Sequence, residues 1–324
     1  MQERHLGRTG LRIPRLGLGT MTWGRDTDQH EARDQLSAFV QAGGRFVDTA
    51  ASYADGDSEL VLGGLLGTVI PRRELVIATK AGITRRDGTR IVDVSRRSLL
   101  VELDDSLRRL GVDHVDLWQL HSWSPTVPLE ESMSALDYAV SSGRARYVGI
   151  ANYSGWQTAH AVTTQRNSPG HNPLASTQVE YSLLQRGIER EVLPASRALG
   201  IGLLPWSPLG RGVLTGKYRT GIPGDSRAAS PHFERFMAGY LDERAGRIVD
   251  AVCRAADGLD LTPLAVALAW VRDRPGVTAP VVGARTAAQL REALEVEQVT
   301  LPDEIVTALD DVSAPLRGYP DTGA

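Results

Sequence analysis

Four residues in the sequence could together move a proton to or from a reacting group: Asp48, Tyr53, Lys80 and His121. Three of them end, or directly follow, short apolar runs that are typical of buried strands. Taken singly, each has an ordinary explanation, since an aspartate can cap a loop, a tyrosine can lie at a rim and a histidine can be a hydrogen-bonded core residue. Lys80 is harder to explain, because an ammonium at the end of a buried strand is costly unless it is paired. Asp48 is its natural partner.

Together the four residues make a working proton donor. A tyrosine phenol has a pKa near 10, which is too high for it to give up a proton readily at neutral pH. We expect the Lys80 ammonium to favour the phenolate and lower the pKa of Tyr53, while Asp48 keeps the lysine charged and in place. A neutral imidazole at His121 could orient a carbonyl oxygen. This arrangement suits the protonation of an oxygen that gains negative charge, as happens when a hydride adds to a carbonyl.

The elements that would position these residues alternate between short apolar runs and amphipathic stretches. The predicted strands are Leu16–Leu18, Phe46–Asp48, Leu75–Lys80, Val115–Leu120, Tyr147–Ile150, Ser176–Val179, Gly202–Trp206 and Ala279–Val282. The predicted helices are Gln29–Ala42, Ser58–Leu66, Val94–Leu110, Leu129–Ser142, Gly155–Thr164, Arg190–Leu199, Asp242–Ala256 and Thr286–Gln298. Eight strands that alternate with helices predict an α/β fold, a (β/α)₈ TIM barrel, with residues 1–324 as one domain. The carboxyl ends of its strands would meet at one mouth and bring the four residues together.

Two segments lie outside the alternating pattern. The residues from His5 to Ile13, ahead of the first strand, predict an N-terminal β-hairpin that plugs the floor of the barrel. The stretch from Ser207 to Gly239, after the seventh strand, has many glycines, prolines and basic residues but little periodicity. A loop of that length in a compact domain is usually functional or disordered.

The net charge and the composition of the chain argue against several classes of function. The net charge of −3 gives no electrostatic footprint for nucleic acid or an anionic membrane, so we predict neither partner. The first five residues carry no apolar stretch of a secretory signal, and no run of about 18 apolar residues occurs, so we expect a cytoplasmic protein. The single cysteine, Cys253, has no second cysteine with which to form an internal disulfide, and its apolar helical context predicts a buried, inert thiol.

One glycine motif resembles a dinucleotide fingerprint but does not complete it. Gly17 to Thr22 follow a predicted strand, yet the sixth position is threonine and no helix opens directly behind it. The acidic residue expected about twenty positions later is not at the end of the next strand, where Asp48 lies 29 residues after Gly19. We therefore predict that any nucleotide site is built from other parts of the chain.

With these residues in view, the chain resembles the aldo-keto reductase superfamily. Asp48, Tyr53, Lys80 and His121 occur in the order of that family's catalytic tetrad, on successive βα units. The motifs Gly19-Thr20-Met21-Thr22-Trp23-Gly24 and Phe46-Val47-Asp48-Thr49-Ala50 are also similar, and the resemblance runs from about Leu6 to Leu309. It implies an NADPH-dependent reductase that reduces an aldehyde or ketone, including sugar or small-metabolite carbonyls, to an alcohol, with Tyr53 as general acid.

The resemblance also implies where NADPH lies. It assigns cofactor contacts to Gly19, Thr20, Met21, Asn152, Gln178, Trp206, Ser207, Pro208, Leu209, Gly210, Gly212, Lys217, Arg227, Gly283, Arg285, Gln289 and Glu292. Asn152 and Gln178 match positions that bind the nicotinamide carboxamide, and Trp206 matches the aromatic residue that stacks on its ring. The segment that begins at Ser207 matches the pyrophosphate loop, and through Arg227 it is similar to the β subunits of voltage-gated potassium channels, so it would cover the cofactor. Trp206 could instead be a core residue.

Residues that follow the last predicted strand favour NADPH over NADH. Gly283 lies between this strand and a helix N-terminus, where exposed N–H groups make an anion site. Arg285 adds a guanidinium suited to a 2′-phosphate, although an arginine on a solvated helix face would look the same. Gln289 and Glu292 match adenine contacts, whereas Ala293 occupies a position where many relatives carry asparagine.

The substrate side of the site is less specific. Trp23 and Trp123 are predicted to form an aromatic rim with Tyr53, and aromatic walls suit aldehydes, ketones and sugars alike. The loop Gly82–Asp93 borders the mouth and carries several arginines, which suit either a polar or anionic substrate group or a solvated surface. The sequence makes no prediction about the oligomeric state or the identity of the carbonyl compound.

Two other classes of function compete with this one. An NADP(H)-binding sensor or partner subunit of the channel β-subunit type would have little turnover, but such subunits carry asparagine where this chain has His121. A glycosidase would need paired carboxylates at the strand ends. Glu180 and Asp48 stand alone there, and Asp48 is the expected partner of Lys80. The complete tetrad favours the reductase.

Overall fold

Eight parallel strands close into a barrel in the computed structural model, which describes residues 1–86, 89–168, 170–219, 221–224, 229, 237–315 and 318. The barrel strands are β3 Gly17–Gly19, β4 Phe46–Asp48, β5 Val76–Ala81, β8 Val115–Leu120, β9 Ala145–Ala151, β10 Leu174–Glu180, β11 Gly202–Trp206 and β12 Val281–Gly283. Each pairs with the next around the ring, and β12 returns to β3. The predicted TIM barrel is therefore confirmed.

Helices follow the barrel strands along the chain. Within the described ranges they are α1 Gln29–Gln41, α2 Asp57–Leu65, α3 Arg96–Leu110, α4 Leu129–Ser141, α5 Gly155–Asn167, α6 Val192–Leu199, α7 Glu243–Leu259, α8 Pro263–Arg272, α9 Ala287–Glu295 and α10 Asp303–Val312. Two of them, α8 and α10, were not predicted. No helix in this part of the chain combines the length and the apolar character needed to cross a bilayer.

Helix α3 shows how local sequence sets these elements. The side chain of Ser95 accepts a hydrogen bond from the backbone N–H of Ser98 and so begins the helix. Gly111 ends it in the left-handed conformation, with φ of 66°. Leucines spaced by three or four residues form the buried stripe: Leu99, Leu103, Leu107 and Leu110.

The N-terminal hairpin closes the end of the barrel opposite the mouth. Strands β1 Glu3–His5 and β2 Arg12–Pro14 pair antiparallel, as predicted. Leu6 and Ile13 are fully buried and share a cluster with side chains from the barrel strands, including Phe46, Leu117 and Leu204. The predicted plug at the floor is confirmed.

A second hairpin lies where a loop was predicted. Strands β6 Ile83–Arg86 and β7 Thr89–Val92 pair antiparallel between β5 and α3. The long segment after β11 is described as far as a short 3₁₀ helix at Gly210–Thr215 and the turn behind it, and then again at 221–224, at 229 and from 237 onward. Arg227 lies outside the described residues.

Candidate active site

The barrel brings the four tetrad residues to one mouth. Asp48 is the last residue of β4, and Lys80 is the last but one of β5, its neighbour in the barrel. His121 directly follows β8, and its backbone N–H donates to the carbonyl of Ala81 at 2.9 Å. Tyr53 follows β4 at the start of a 3₁₀ turn, Tyr53–Gly56, where no helix was predicted.

Lys80 is held by three oxygen atoms. Its Nζ donates to Asp48 Oδ2 at 2.6 Å, to the carbonyl of Thr49 at 2.9 Å and to the Tyr53 hydroxyl at 3.3 Å. The side chains of Lys80 and Asp48 are 1% and 2% exposed, so the ion pair lies in a region from which water is nearly excluded. Gln178 Nε2 donates to the other Asp48 oxygen at 2.8 Å, which satisfies the carboxylate from a third strand. The predicted pairing of Lys80 with Asp48 is present.

The pKa of Tyr53 corrects one expectation. Burial raises the pKa of its phenol above 10, and the opposing effect of the Lys80 ammonium is smaller. The expected net lowering is therefore wrong: the phenol stays protonated at neutral pH, and Lys80 reduces the cost of ionising it. Burial alone would lower the pKa of Lys80, but the Asp48 carboxylate and the phenol outweigh it and hold that pKa above 10.5.

His121 is neutral in this setting. Burial, followed by the charges of Lys80 and Arg90, holds the pKa of its imidazole well below 6.5. The ring lies 5.9 Å from that of Tyr53, edge to face at 79°, and its Nδ1 is 3.4 Å from Ser52 Oγ. The imidazole and the phenol thus border the same small volume from two sides.

Buried polar groups that the sequence alone did not indicate support the tetrad from behind. Glu59 is fully buried and accepts from Thr79 Oγ1 at 2.5 Å and from Arg109 Nε at 2.7 Å. Thr79 precedes Lys80 on β5, so this chain of contacts fixes the strand next to the lysine. Their link is visible only in three dimensions, because Glu59 and Arg109 are 50 positions apart.

A cavity of about 580 Å³ opens from the tetrad along the mouth. Asp48, Tyr53 and His121 line it, while Lys80 lies behind them. Fourteen of the predicted cofactor residues line it too: Gly19, Met21, Asn152, Gln178, Trp206, Ser207, Pro208, Leu209, Gly212, Lys217, Gly283, Arg285, Gln289 and Glu292. Thr20 and Gly210 are buried and are not among the described lining residues.

Trp206 presents an oriented aromatic ring at the cavity wall. Its Nε1 donates to Asn152 Oδ1 at 2.9 Å, and Asn152 Nδ2 donates to the carbonyl of His121 at 2.9 Å. Asn152 has a φ of 61°, a left-handed conformation that turns its side chain into this network. The ring is therefore fixed relative to His121 through one amide side chain.

Around the start of α9, fewer backbone N–H groups are available to bind an anion than the sequence predicts. Gln289 Oε1 accepts from the backbone N–H of Arg285 at 3.0 Å, and Glu31 accepts from the N–H of Ala287. Thr286 Oγ1 accepts from the N–H of Gln289 at 3.2 Å. Three backbone donors around the start of α9 are thus used within the protein. Among the described lining residues of the cavity the basic ones are Arg211, Lys217 and Arg285, and Arg211 forms an ion pair with Glu180.

A cluster that sequence reasoning missed fixes the segment after β11. Arg211 forms an ion pair with Glu180 at 3.0 Å and stacks on the Tyr240 ring at 4.3 Å from its centroid. The Tyr240 hydroxyl donates to the same carboxylate at 2.5 Å. Arg211 lines the cavity, so the cluster joins the cavity wall to the end of β10.

The two predicted rim tryptophans lie in different places. Trp23 is fully buried, packs in the core between α1 and the barrel, and donates from Nε1 to Gln35 Oε1 at 2.9 Å, so its prediction as a rim residue is wrong. Its indole N–H has a partner inside the protein, which makes burial favourable. Trp123 is half-buried beyond His121 and contacts the rings of Tyr153 and Trp156 edge to face.

Comparison with known proteins agrees with this architecture. The chain is 35% identical over 328 residues to an uncharacterised oxidoreductase, YrpG, of Bacillus subtilis (strain 168), with 96% of each chain covered. It is 34% identical over 303 residues to L-glyceraldehyde 3-phosphate reductase of Escherichia coli (strain K12), covering 91% of this chain and 87% of that one.

A probable voltage-gated potassium channel subunit beta of Oryza sativa subsp. japonica is 32% identical over 326 residues, with 99% of this chain and 98% of that chain covered. The family model of the aldo/keto reductases matches residues 15–314, which spans the barrel from before β3 to the end of α10. The chain therefore belongs to the aldo/keto reductase family.

Proposed function

We propose that this protein reduces an aldehyde or ketone to an alcohol, with NADPH as hydride donor and Tyr53 as proton donor. The observation that carries the proposal is the position of Lys80, whose ammonium contacts both the Asp48 carboxylate and the Tyr53 hydroxyl at the inner end of the cavity. An uncharged carbonyl fits there, because His121 is neutral and the charge of Lys80 is balanced by Asp48.

The residues of the cavity fit a dinucleotide in three respects. Trp206 offers a fixed aromatic face beside the tetrad, which suits a flat nicotinamide ring. Lys217 and Arg285 add positively charged side chains to the cavity wall, which suits phosphates. The cavity volume of about 580 Å³ lies in the range of cofactor sites. A bound NADPH would supply the hydride that adds to the carbonyl carbon.

The chain's own groups would handle the carbonyl oxygen. His121, neutral and beside Tyr53, can donate a hydrogen bond that orients this oxygen. As the oxygen gains negative charge, the protonated phenol gives it a proton. The Lys80 ammonium at 3.3 Å then stabilises the phenolate that remains. Asp48 and the carbonyl of Thr49 keep the ammonium charged and aimed at the phenol throughout.

The relatives support reduction and also suggest a second candidate. The names of two of them indicate an oxidoreductase and a reductase of an aldehyde, whereas another is a probable channel subunit. A binding or sensor subunit with the same fold would hold NADP(H) and turn over slowly.

NADPH oxidation, followed at its absorbance with a panel of aldehydes, ketones and keto-sugars, separates the two. Turnover that depends on the carbonyl compound supports the reductase. Tight NADPH binding with no oxidation across the panel supports the sensor, and no NADPH binding at all overturns both.

Substitution of Arg285 tests the preference for NADPH over NADH. Arg285 lines the cavity two residues before α9, and we expect Arg285→Ala to weaken NADPH binding by about 1.5–3 kcal/mol, the scale of a hydrogen bond to a charged group. NADH binding should hardly change, since it lacks the 2′-phosphate. Arg291→Ala, an exposed arginine on the same helix that does not line the described cavity, is the matched control. Equal loss for both cofactors in a titration would remove the assignment.

A further inference from the structure

The hairpin β6–β7 rises from the mouth beside the tetrad. Its root, Gly82, follows Ala81, the residue whose carbonyl accepts from the backbone N–H of His121. The N–H of Gly82 donates to the buried carboxylate of Glu102 at 2.9 Å, and its φ of 97° turns the chain out of β5. The hairpin is thus anchored in the barrel wall, two residues from Lys80 and in contact with the strand end that carries His121.

The register of the hairpin puts two arginines on one face. Arg85 lies directly opposite Arg90, and Ile83 lies directly opposite Val92. Because side chains alternate along a strand, these four residues share a face. Ile83 is 9% exposed and Val92 packs against the barrel core, so this face is the one turned towards the barrel. The two arginines continue it outward and are exposed.

The placement of Arg85 opposite Arg90 lowers the stability of the hairpin. Like charges directly opposite each other on a hairpin destabilise it. Among the described residues neither Arg85 nor Arg90 takes part in a hydrogen bond or an ion pair that would offset the repulsion. Arg90 is also close enough to His121 to be one of the charges that lower the pKa of its imidazole. Arg90 therefore places positive charge near the group that would orient the carbonyl, and Arg85 lies directly opposite it on the hairpin.

We propose that Arg85 and Arg90 bind an anionic group, a phosphate or a carboxylate, at the far end of the carbonyl substrate. The inference rests on the proposed function, because it takes the carbonyl to lie between Tyr53 and His121. Guanidinium groups match the planar and tetrahedral oxygen arrangements of such anions with paired hydrogen bonds. An anion between the arginines would also remove their repulsion. The preferred substrates are then short aldehydes or ketones with a terminal negative charge.

Matched pairs of substrates test this directly. Glyceraldehyde 3-phosphate is compared with glyceraldehyde, and succinic semialdehyde with butanal, as NADPH oxidation is followed. For the charged substrate of the pair that the wild type prefers, we expect kcat/KM to fall at least about tenfold in Arg90→Ala and further in Arg85→Ala/Arg90→Ala. For the uncharged substrate of the same pair, kcat/KM should not change. Arg90→Lys should keep part of the preference, and added salt should weaken it in the wild type. Whichever anionic member shows the effect identifies the group as phosphate or carboxylate.

A control arginine lies at the opposite end of β5, the strand that leads into the hairpin. Arg73 is exposed just before β5, on the floor side of the barrel, and Arg73→Ala should leave both members of each pair unchanged. The inference would be overturned if the hairpin variants changed kcat/KM equally for charged and neutral substrates, or changed it for neither. In that case, turnover of the neutral aldehydes would still support the proposed function. If no carbonyl compound is reduced, the proposed function fails separately. Equilibrium binding of glycerol 3-phosphate in the presence of NADPH still decides the inference, which is wrong if the double variant binds it as tightly as the wild type.

Discussion

Lys80 is the residue on which the charge balance of the site depends. It is almost completely buried and its nearest charge is Asp48 at 2.6 Å. Removing one member of such a pair leaves an uncompensated charge in a medium that solvates it poorly. The same lysine is the group that makes ionisation of Tyr53 cheaper, so its loss should affect both stability and catalysis.

We expect Lys80→Met to lower the free energy of unfolding by about 3–5 kcal/mol, because the Asp48 carboxylate stays buried without its partner. The double variant Asp48→Asn/Lys80→Met should recover most of that loss, since no unpaired charge is left at this position. Urea unfolding measures both, and carbonyl reduction should be severely impaired in both variants. A Lys80→Met protein as stable as the wild type would show that the Asp48 carboxylate does not need the ammonium to remain buried.

The lowered pKa of His121 predicts that the stability of the protein depends on pH. Its pKa in the folded protein lies well below 6.5, whereas in the unfolded chain it is near that value. Below about pH 6.5 the unfolded chain therefore binds a proton that the folded protein does not, so folding is destabilised as the pH falls. Between pH 6.5 and 5.5 the wild type should lose about 1 kcal/mol more than His121→Asn. The two proteins should bind NADPH equally, and only the wild type should turn over an aldehyde rapidly. Parallel stability curves for the two proteins would contradict the buried neutral imidazole.

At the scale of elements, helix α2 depends on a close approach to α3. A Cβ added at Gly63 would lie 2.6 Å from the carbonyl oxygen of Arg109 and 2.8 Å from that of Leu110. One added at the next residue, Gly64, would meet only the side-chain end of Gln29, at 3.4 Å. The two glycines are in the same helix turn but face different surroundings.

This pair gives a matched prediction. Gly63→Ala should destabilise the protein by about 1–3 kcal/mol, because backbone carbonyls cannot move aside cheaply. Gly64→Ala should be neutral or stabilising by up to about 1 kcal/mol, since alanine favours the helix more than glycine does. Urea midpoints measure the difference. If both variants changed stability alike, the packing of α2 on α3 would differ from that described.

The elements that sequence predicted best are those with a clear period. All eight barrel strands and most helices were predicted because apolar runs and stripes alternate regularly. Helix α8 was missed because its residues 264–272 are buried on every side, which removes the amphipathic stripe. Its start did carry a signal, Thr262 followed by Pro263, a good cap and first residue. The Asp87-Gly88 dipeptide was a comparable signal for the β6–β7 hairpin.

At the scale of the whole molecule, barrel closure is what assembles the site. The cavity wall includes residues from Gly19 to Ala293, so almost the entire chain must fold before it exists. The tetrad was predictable because residues at strand ends must meet at the mouth. The burial of Trp23, the Glu59–Arg109 contact and the Arg211–Glu180–Tyr240 cluster were not, because each depends on the packing of distant segments. The mechanism itself depends on one hydroxyl in that assembled site.

Single-turnover reduction by Tyr53→Phe tests that mechanism most directly. Phenylalanine keeps the shape of the ring but removes the hydroxyl that lies 3.3 Å from Lys80 Nζ. Stopped-flow measurement of NADPH oxidation with a good aldehyde, with NADPH affinity measured separately, isolates the chemical step. Tyr138→Phe, a partly exposed tyrosine on α4, is the control. We expect the rate in Tyr53→Phe to fall by about 10²–10⁴-fold, the usual contribution of general acid catalysis, with NADPH affinity and the control unchanged. A Tyr53→Phe protein that reduces the aldehyde at nearly the wild-type rate would contradict the mechanism.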